Sequence, residues 1–320
     1  MDVILNEIIT DHFTLSEGYL YRDGFVFTRG QQYPAVFDRL VVRTPMRTRA
    51  NERKLGYSNR TLPEHIALIN RYKIAKVMVI CDDLSFLTQC PSVSDVVVFP
   101  SYDADSDFDY APLYSMPNIR RISCTTIYGT HGQHKTSIDY SRMPLLEYIS
   151  ISGSGHIGYL SLRSLREIHM SNIKTHTHFR AISGSDLLTQ ATMLQSRLQT
   201  LDGIEKHRQL TSLVLYNNHA LRDISALQSV ATSLTELVIE SSSRIKDFSV
   251  LETLTNLEHL QLCGNNMLEN LDFLRKMTKL KTFTFTMNVE NGDLSPCLML
   301  PYASCRNRKH FNLRDEQLPK

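Results

Sequence analysis

Leucines return at a fixed interval in the second half of this 320-residue chain. From Leu210 the pattern Leu-x-x-Leu-x-Leu gives Leu210, Leu213 and Leu215, followed by Asn218, Leu221, Ile224 and Leu227. From Leu257 it gives Leu257, Leu260 and Leu262, then Asn265, Leu268, Leu271 and Leu274. A period of this length means a stacked solenoid rather than a closed globule. The register extends in both directions, with starts at 74, 93, 119, 146, 165, 188, 210, 234, 257 and 280. A further match, Phe37-x-x-Leu40-x-Val42, lies upstream. Each start is read as a short strand whose alternate side chains point inward. One unit cannot bury its apolar face alone, so neighbours stack and share a core.

After each strand the chain must turn away. Asn218, Asn265 and Asn288 occupy the ninth position of their units, with Ser196, Ser242 and Asp82 there in others. An Asn amide bonds the backbone of its own loop and tolerates unusual dihedrals. The return segments read Asp223-Ile224-Ser225-Ala226-Leu227, Asp247-Phe248-Ser249-Val250-Leu251 and Leu271-Asp272-Phe273-Leu274. On these residues the units resemble leucine-rich repeats of the short bacterial-internalin and phosphatase-regulator type. The match is strong over 188–288 and looser over 74–187.

The resemblance implies an α/β leucine-rich-repeat solenoid, a right-handed horseshoe. Its parallel sheet would line the concave face, with short 3-10 or irregular convex segments. Residues 1–36 are expected as an N-terminal cap with a hairpin around Asp23-Gly24. The solenoid is expected over 37–288, with an insertion at 43–72, and a C-terminal cap over 289–320. Within the insertion, Thr61-Leu62-Pro63-Glu64 is a helix start, predicting one short helix at 63–72.

Composition narrows the function. Hydrophobic residues at 42% and charged residues at 21% fit a folded chain, and the net charge of +2 argues against a dedicated nucleic-acid binder. Met1–Thr10 lacks a basic leader and no apolar run approaches the ~18 residues of a membrane helix, so a cytoplasmic protein is expected. Its six scattered cysteines are then reduced; Cys297 and Cys305 are the one candidate pair for a disulfide.

Apparent chemical motifs have plainer readings. Gly153-Ser-Gly155-His-Ile-Gly158 matches a dinucleotide loop, but the next strand begins before a helix could hold phosphate. Asp103, Asp105, Asp107 and Asp109 lack the glycine and terminal glutamate of a calcium loop. His131 with His134, and His176 with His178, fall short of a zinc set. The basic group Arg43, Arg47, Arg49, Arg53, Lys54 and Arg60 has only Tyr57 for stacking and reads as a solvated insertion. No catalytic constellation, metal or cofactor is expected.

The expected function is therefore non-enzymatic recognition of a protein by a monomer, through the concave face. Met78, Ile80, Val97 and Phe99 would form an apolar part of that face. Tyr148, His169 and Tyr216 would be aromatic anchors. Glu236, Glu240 and Glu258, beside His259, would form an acidic set relieved by a basic partner. Elsewhere, Lys76, Asp95 and Arg121 alternate in sign as a cross-strand ladder. The resemblance to cytoplasmic bacterial repeat proteins implies an inhibitor or immunity-type role. The alternatives are an enzyme, or enzyme subunit, whose site is invisible in sequence, and a purely structural scaffold.

Overall fold

The computed structural model describes residues 14–16, 19–22, 25–27, 37–43, 61–81, 83–100, 108–125, 137–153 and 155–320; the side chains of 14–38, 41, 43, 80, 99, 100 and 125 are not included. Asp82, Asp103, Asp105, Asp107, His131, His134, Arg47, Arg49, Arg53, Lys54, Tyr57 and Arg60 lie outside the described residues. The chain forms two compact units. One comprises Met1–Leu146 with Gly155–Ile157, the other Glu147–Ser154 with Gly158–Lys320.

In the first unit, strands Thr14–Ser16, Tyr19–Arg22, Phe25–Phe27 and Phe37–Arg43 pair antiparallel in sequence order. Arg22 stands opposite Phe25; Asp23 and Gly24, expected at the hairpin turn, lie outside the described residues. From Phe37–Arg43 onward the pairing is parallel, through Lys76–Cys81, Asp95–Pro100 and Arg121–Thr125. The predicted helix is Leu62–Tyr72. The Glu64 carboxylate accepts from the Thr61 amide at 2.6 Å and from the Thr61 hydroxyl at 2.8 Å, satisfying a terminal donor.

Among its described residues the second unit has eight parallel strands in one sheet: Tyr148–Ser152, Glu167–Ser171, Gln190–Leu194, Ser212–Tyr216, Glu236–Glu240, His259–Cys263, Thr282–Phe285 and Tyr302–Cys305. Each pairs in register with the next. Short 3-10 segments return the chain between strands, among them Ser225–Val230, Ser249–Thr253 and Asp272–Lys276. The parallel sheet with short 3-10 returns is the expected solenoid architecture.

The repeat dictates this placement residue by residue. All ten starting positions, Ile74 to Leu280, are buried, and a strand begins two residues after each. Inward positions stack as columns: Leu213, Leu237, Leu260 and Phe283 in one, Leu215, Ile239, Leu262 and Phe285 in the other. All of these are no more than 2% exposed. Burying a Leu of this kind contributes roughly 1.5–3 kcal/mol. Where aromatics enter the columns they pair, Phe283 on Phe285 at 4.8 Å and 14°.

The turns after four of these strands follow one plan. Asn172, Gln195, Asn217 and Ser241 adopt left-handed backbone, with φ between 51° and 55°. Each donates its amide N–H to the last carbonyl of the next strand, at 2.8–2.9 Å. The following residue turns inward. Asn218 is fully buried; its Oδ1 accepts from the Ser196 amide at 3.0 Å and from the Ser196 hydroxyl, and its Nδ2 donates to the Met193 carbonyl at 2.8 Å. The equivalent in the next-but-one unit is Asn266, not the expected Asn265. Gly264, at φ 138°, lengthens that turn by a residue, leaving Asn265 exposed while Asn266 donates to the Ser242 and Ile245 carbonyls.

The last strand, Tyr302–Cys305, lies within the segment expected as the C-terminal cap and adds a rung to the sheet. The residues after it fold back on its outer edge. The Ala303 amide donates to the Pro319 carbonyl at 2.9 Å, and the Cys305 amide to the Asp315 carboxylate at 2.7 Å. Lys320 Nζ donates to the Ala303 carbonyl at 3.1 Å. All six cysteines are free thiols, so Cys297 and Cys305 are not bridged.

Candidate functional site

The strands leave one sheet face open, opposite the inward columns. In the second unit its outward positions form three columns read from the strand register. One runs Tyr148, Glu167, Gln190, Ser212, Glu236 and His259, continuing to Thr282 and Tyr302. The central column includes Ser150, His169, Thr192, Val214, Val238 and Gln261. The third includes Leu194, Tyr216, Glu240 and Cys263.

Aromatic groups sit at three places on this face. Tyr148 meets His169 edge-on, with ring centroids 5.4 Å apart at 74°. His169 Nε2 lies 3.1 Å from the Glu167 carboxylate, which orients the ring. Tyr216 is 36% exposed, in register between Leu194 and Glu240. Tyr302 is 37% exposed, with Lys320 Nζ 5.4 Å from its ring centroid. Tyr302 is not among the residues singled out from sequence. Ala303 and Cys305 stand where leucines mark other rungs, although Leu300 keeps the interval.

The acidic residues occupy different settings. Glu236 accepts from the Ser212 hydroxyl at 2.6 Å, and Glu240 from the Gln261 amide at 3.3 Å. Glu258 precedes its strand and is off the columns; Lys281 Nζ donates to it at 2.5 Å. That hydrogen bond and the lysine charge hold the Glu258 carboxyl below its usual range. His259 bonds the Thr282 hydroxyl at 2.8 Å. Beside Glu258, a hollow of about 640 Å³ is lined by Met277, Lys279, Lys281, Met299 and Pro301.

In the first unit, Met78 is half-buried on the outward face of its own strand, while Val97 is only 9% exposed. Ile80 and Phe99 lie in the adjacent strands, but their side chains lie outside those described. Asp95, buried to 7% exposure, pairs with Arg39 at 3.4 Å and with Arg121 at 3.7 Å. The alternating charges thus form a cross-strand cluster.

Motifs with apparent chemistry have structural roles. Gly153, Gly155 and Gly158 have φ of 82°, 87° and 77°, and the three-residue turn Tyr159–Ser161 follows, so the glycines serve tight turns. His176 bonds the Tyr159 hydroxyl, whereas His178 bonds the Thr200 hydroxyl at 3.1 Å. Among the described residues no group of three or more His, Cys, Asp or Glu could hold a metal ion. Burial raises the Cys90 and Cys124 thiols to about 11 and Cys297 to about 12, and also raises Cys263 on the open face. Such thiols remain protonated at neutral pH and are poor nucleophiles. A second hollow, about 270 Å³, lies on the return side between Arg163, Arg180, Asp186, Lys206 and His207. Burial lowers the pKa of His207, whose Nδ1 donates to the Ser185 carbonyl at 2.9 Å.

Repeated strand, left-handed turn and 3-10 return around leucine columns define a leucine-rich-repeat solenoid. No protein-family model and no curated protein matches the sequence. Among solved structures, the chain is similar to an internalin (InlF) from Listeria monocytogenes. The TM-score is 0.51 at 14% identity, covering 77% of this chain and 73% of that one. It is also similar to the functional domain of InlJ from the same organism, at TM-score 0.48 and 14% identity, covering 73% and 54%. A leucine-rich-repeat protein of Leptospira interrogans matches at TM-score 0.46 and 11% identity, covering 78% and 76%. At these identities the likeness is one of fold. Among the described residues no helix is long and apolar enough to cross a membrane.

Proposed function

We propose that this chain is a non-catalytic protein-recognition module whose partner lies across the open face of the second unit's sheet. The observation that carries this reading is the placement of Tyr216. A large amphipathic ring stands 36% exposed on a regular array, flanked in register by Leu194 and Glu240 and serving no core contact column. Tyr is enriched at binding hot spots because it offers area at low entropic cost. Tyr148, His169 and Tyr302 provide further contact points on the same face. An interface of about 800 Å² per partner would engage several rungs at once.

The test is an affinity measurement with a partner captured from the native cell. Tyr216→Ala should weaken binding by about 2 kcal/mol or more. Lys246→Ala, at an exposed site outside the strands, should leave it unchanged. Equal effects of both substitutions, or none of either, would remove the open face from consideration.

A further inference from the structure

The open face of the second unit carries one sign of charge. Its outward strand positions include Glu167, Glu236 and Glu240, and none is Lys or Arg. Composition does not explain this, because the chain has 35 Lys and Arg against 33 Asp and Glu. Basic residues near the strands, such as Lys281, lie off the outward columns.

Glu236 and Glu240 lie on one strand, four residues apart, hence about 13 Å along it. Each is held by a neutral donor, Ser212 or Gln261, and neither has a cation within ion-pair distance among the described residues. A carboxylate oriented by neutral donors keeps its full charge and remains able to take a cationic partner. Tyr216 stands in register beside Glu240, about 4.8 Å across the sheet. Between the two glutamates lie Val238 and its neighbour Val214, both half-buried and facing out. The patch is thus two anions around an apolar centre, with one aromatic face next to one anion.

The geometry points to a cationic protein segment as the occupant of this patch. One Arg or Lys meets Glu240 beside the Tyr216 ring, where carboxylate and aromatic face attract the same cation. A second cation, about 13 Å away, meets Glu236. An aliphatic side chain between them covers Val214 and Val238. In an extended segment the cations stand four residues apart. This inference rests on the open-face reading and adds the chemistry of the partner to it.

The probe is a phage-displayed random peptide library panned on the full chain. Selected peptides should be enriched in paired Arg or Lys around an apolar residue. Synthetic copies should lose about tenfold or more in affinity to the Glu236→Gln, Glu240→Gln double variant. Gln keeps one acceptor oxygen at each position, enough for the Ser212 and Gln261 donors, and an unchanged thermal midpoint confirms the fold. Affinity should also fall as salt rises. Peptides without a basic bias, no selected binder, or affinity unchanged by the double variant would each overturn the inference. If the double variant has no effect but Tyr216→Ala abolishes binding, the open face stands and only the cationic partner falls. If neither matters, both readings fall.

Discussion

A single side-chain amide closes the rung at Asn218. Asn218 is fully buried and joins the Ser196 amide to the Met193 carbonyl, linking two strands' ends through one side chain. Asn218→Ala should cost about 1–3 kcal/mol for each buried group left unpaired, measured by denaturant unfolding. The neighbouring pair offers a sharper comparison. Asn266→Ala should be destabilising in the same way, whereas Asn265→Ala should change stability by no more than about 0.5 kcal/mol. Position counting alone selects the wrong one of these two residues. A glycine in left-handed backbone shifts the register by one, and only the φ of Gly264 reveals it. Tyr216 was legible as an outward residue because a two-residue period suffices to place it. Its exposure depends on which side chains flank it, and these, Leu194 and Glu240, come from other rungs.

At the level of the turn and return segment, the Asp-x-Ser sequences have a physical explanation. The Asp223, Asp247 and Asp293 carboxylates accept from the amides of Ser225, Ser249 and Ser295 at 2.9, 2.8 and 2.9 Å. These bonds set the entry to each 3-10 segment. Hydrogen bonds from the serine backbone and hydroxyl hold all three carboxyls below their ordinary value of 3.8. Because the folded pKa is depressed, the stabilisation is fully present above the unfolded carboxyl pKa. It is lost as pH falls below 3.8 through the folded values. The Asp223→Asn, Asp247→Asn, Asp293→Asn variant keeps the acceptors but not the charge. Its unfolding midpoint should therefore fall less steeply than wild type between pH 5 and about pH 3. Strands of the repeat were the most legible elements, since an apolar start two residues ahead marks ten of them. The rung at Tyr302 was hidden by Ala303 and Cys305, which fill the inward columns with small side chains.

For the molecule as a whole, stability is a chain of neighbouring contacts within each unit. Leu237→Ala should cost about 2–5 kcal/mol. Hydrogen exchange should rise first in the adjoining strands Ser212–Tyr216 and His259–Cys263, and later at Tyr148–Ser152. Burial of Cys90, Cys124 and Cys297 predicts negligible alkylation at pH 8 in native protein and rapid alkylation once denaturant unfolds it. The binding surface was only partly legible at this scale. Periodicity reveals which residues face out, but not that Glu236 and Glu240 are held by the neutral donors Ser212 and Gln261.

The fold-back after the last rung has a colloidal consequence. A terminal strand normally offers unpaired amides to any passing strand, and this invites sheet-to-sheet growth. Here the outward amides of Ala303 and Cys305 are already occupied by Pro319 and Asp315. Removing Asp315–Lys320 should therefore produce a protein whose light scattering climbs with concentration, while the intact chain stays dispersed. Six residues act as a stopper against polymerisation through that edge.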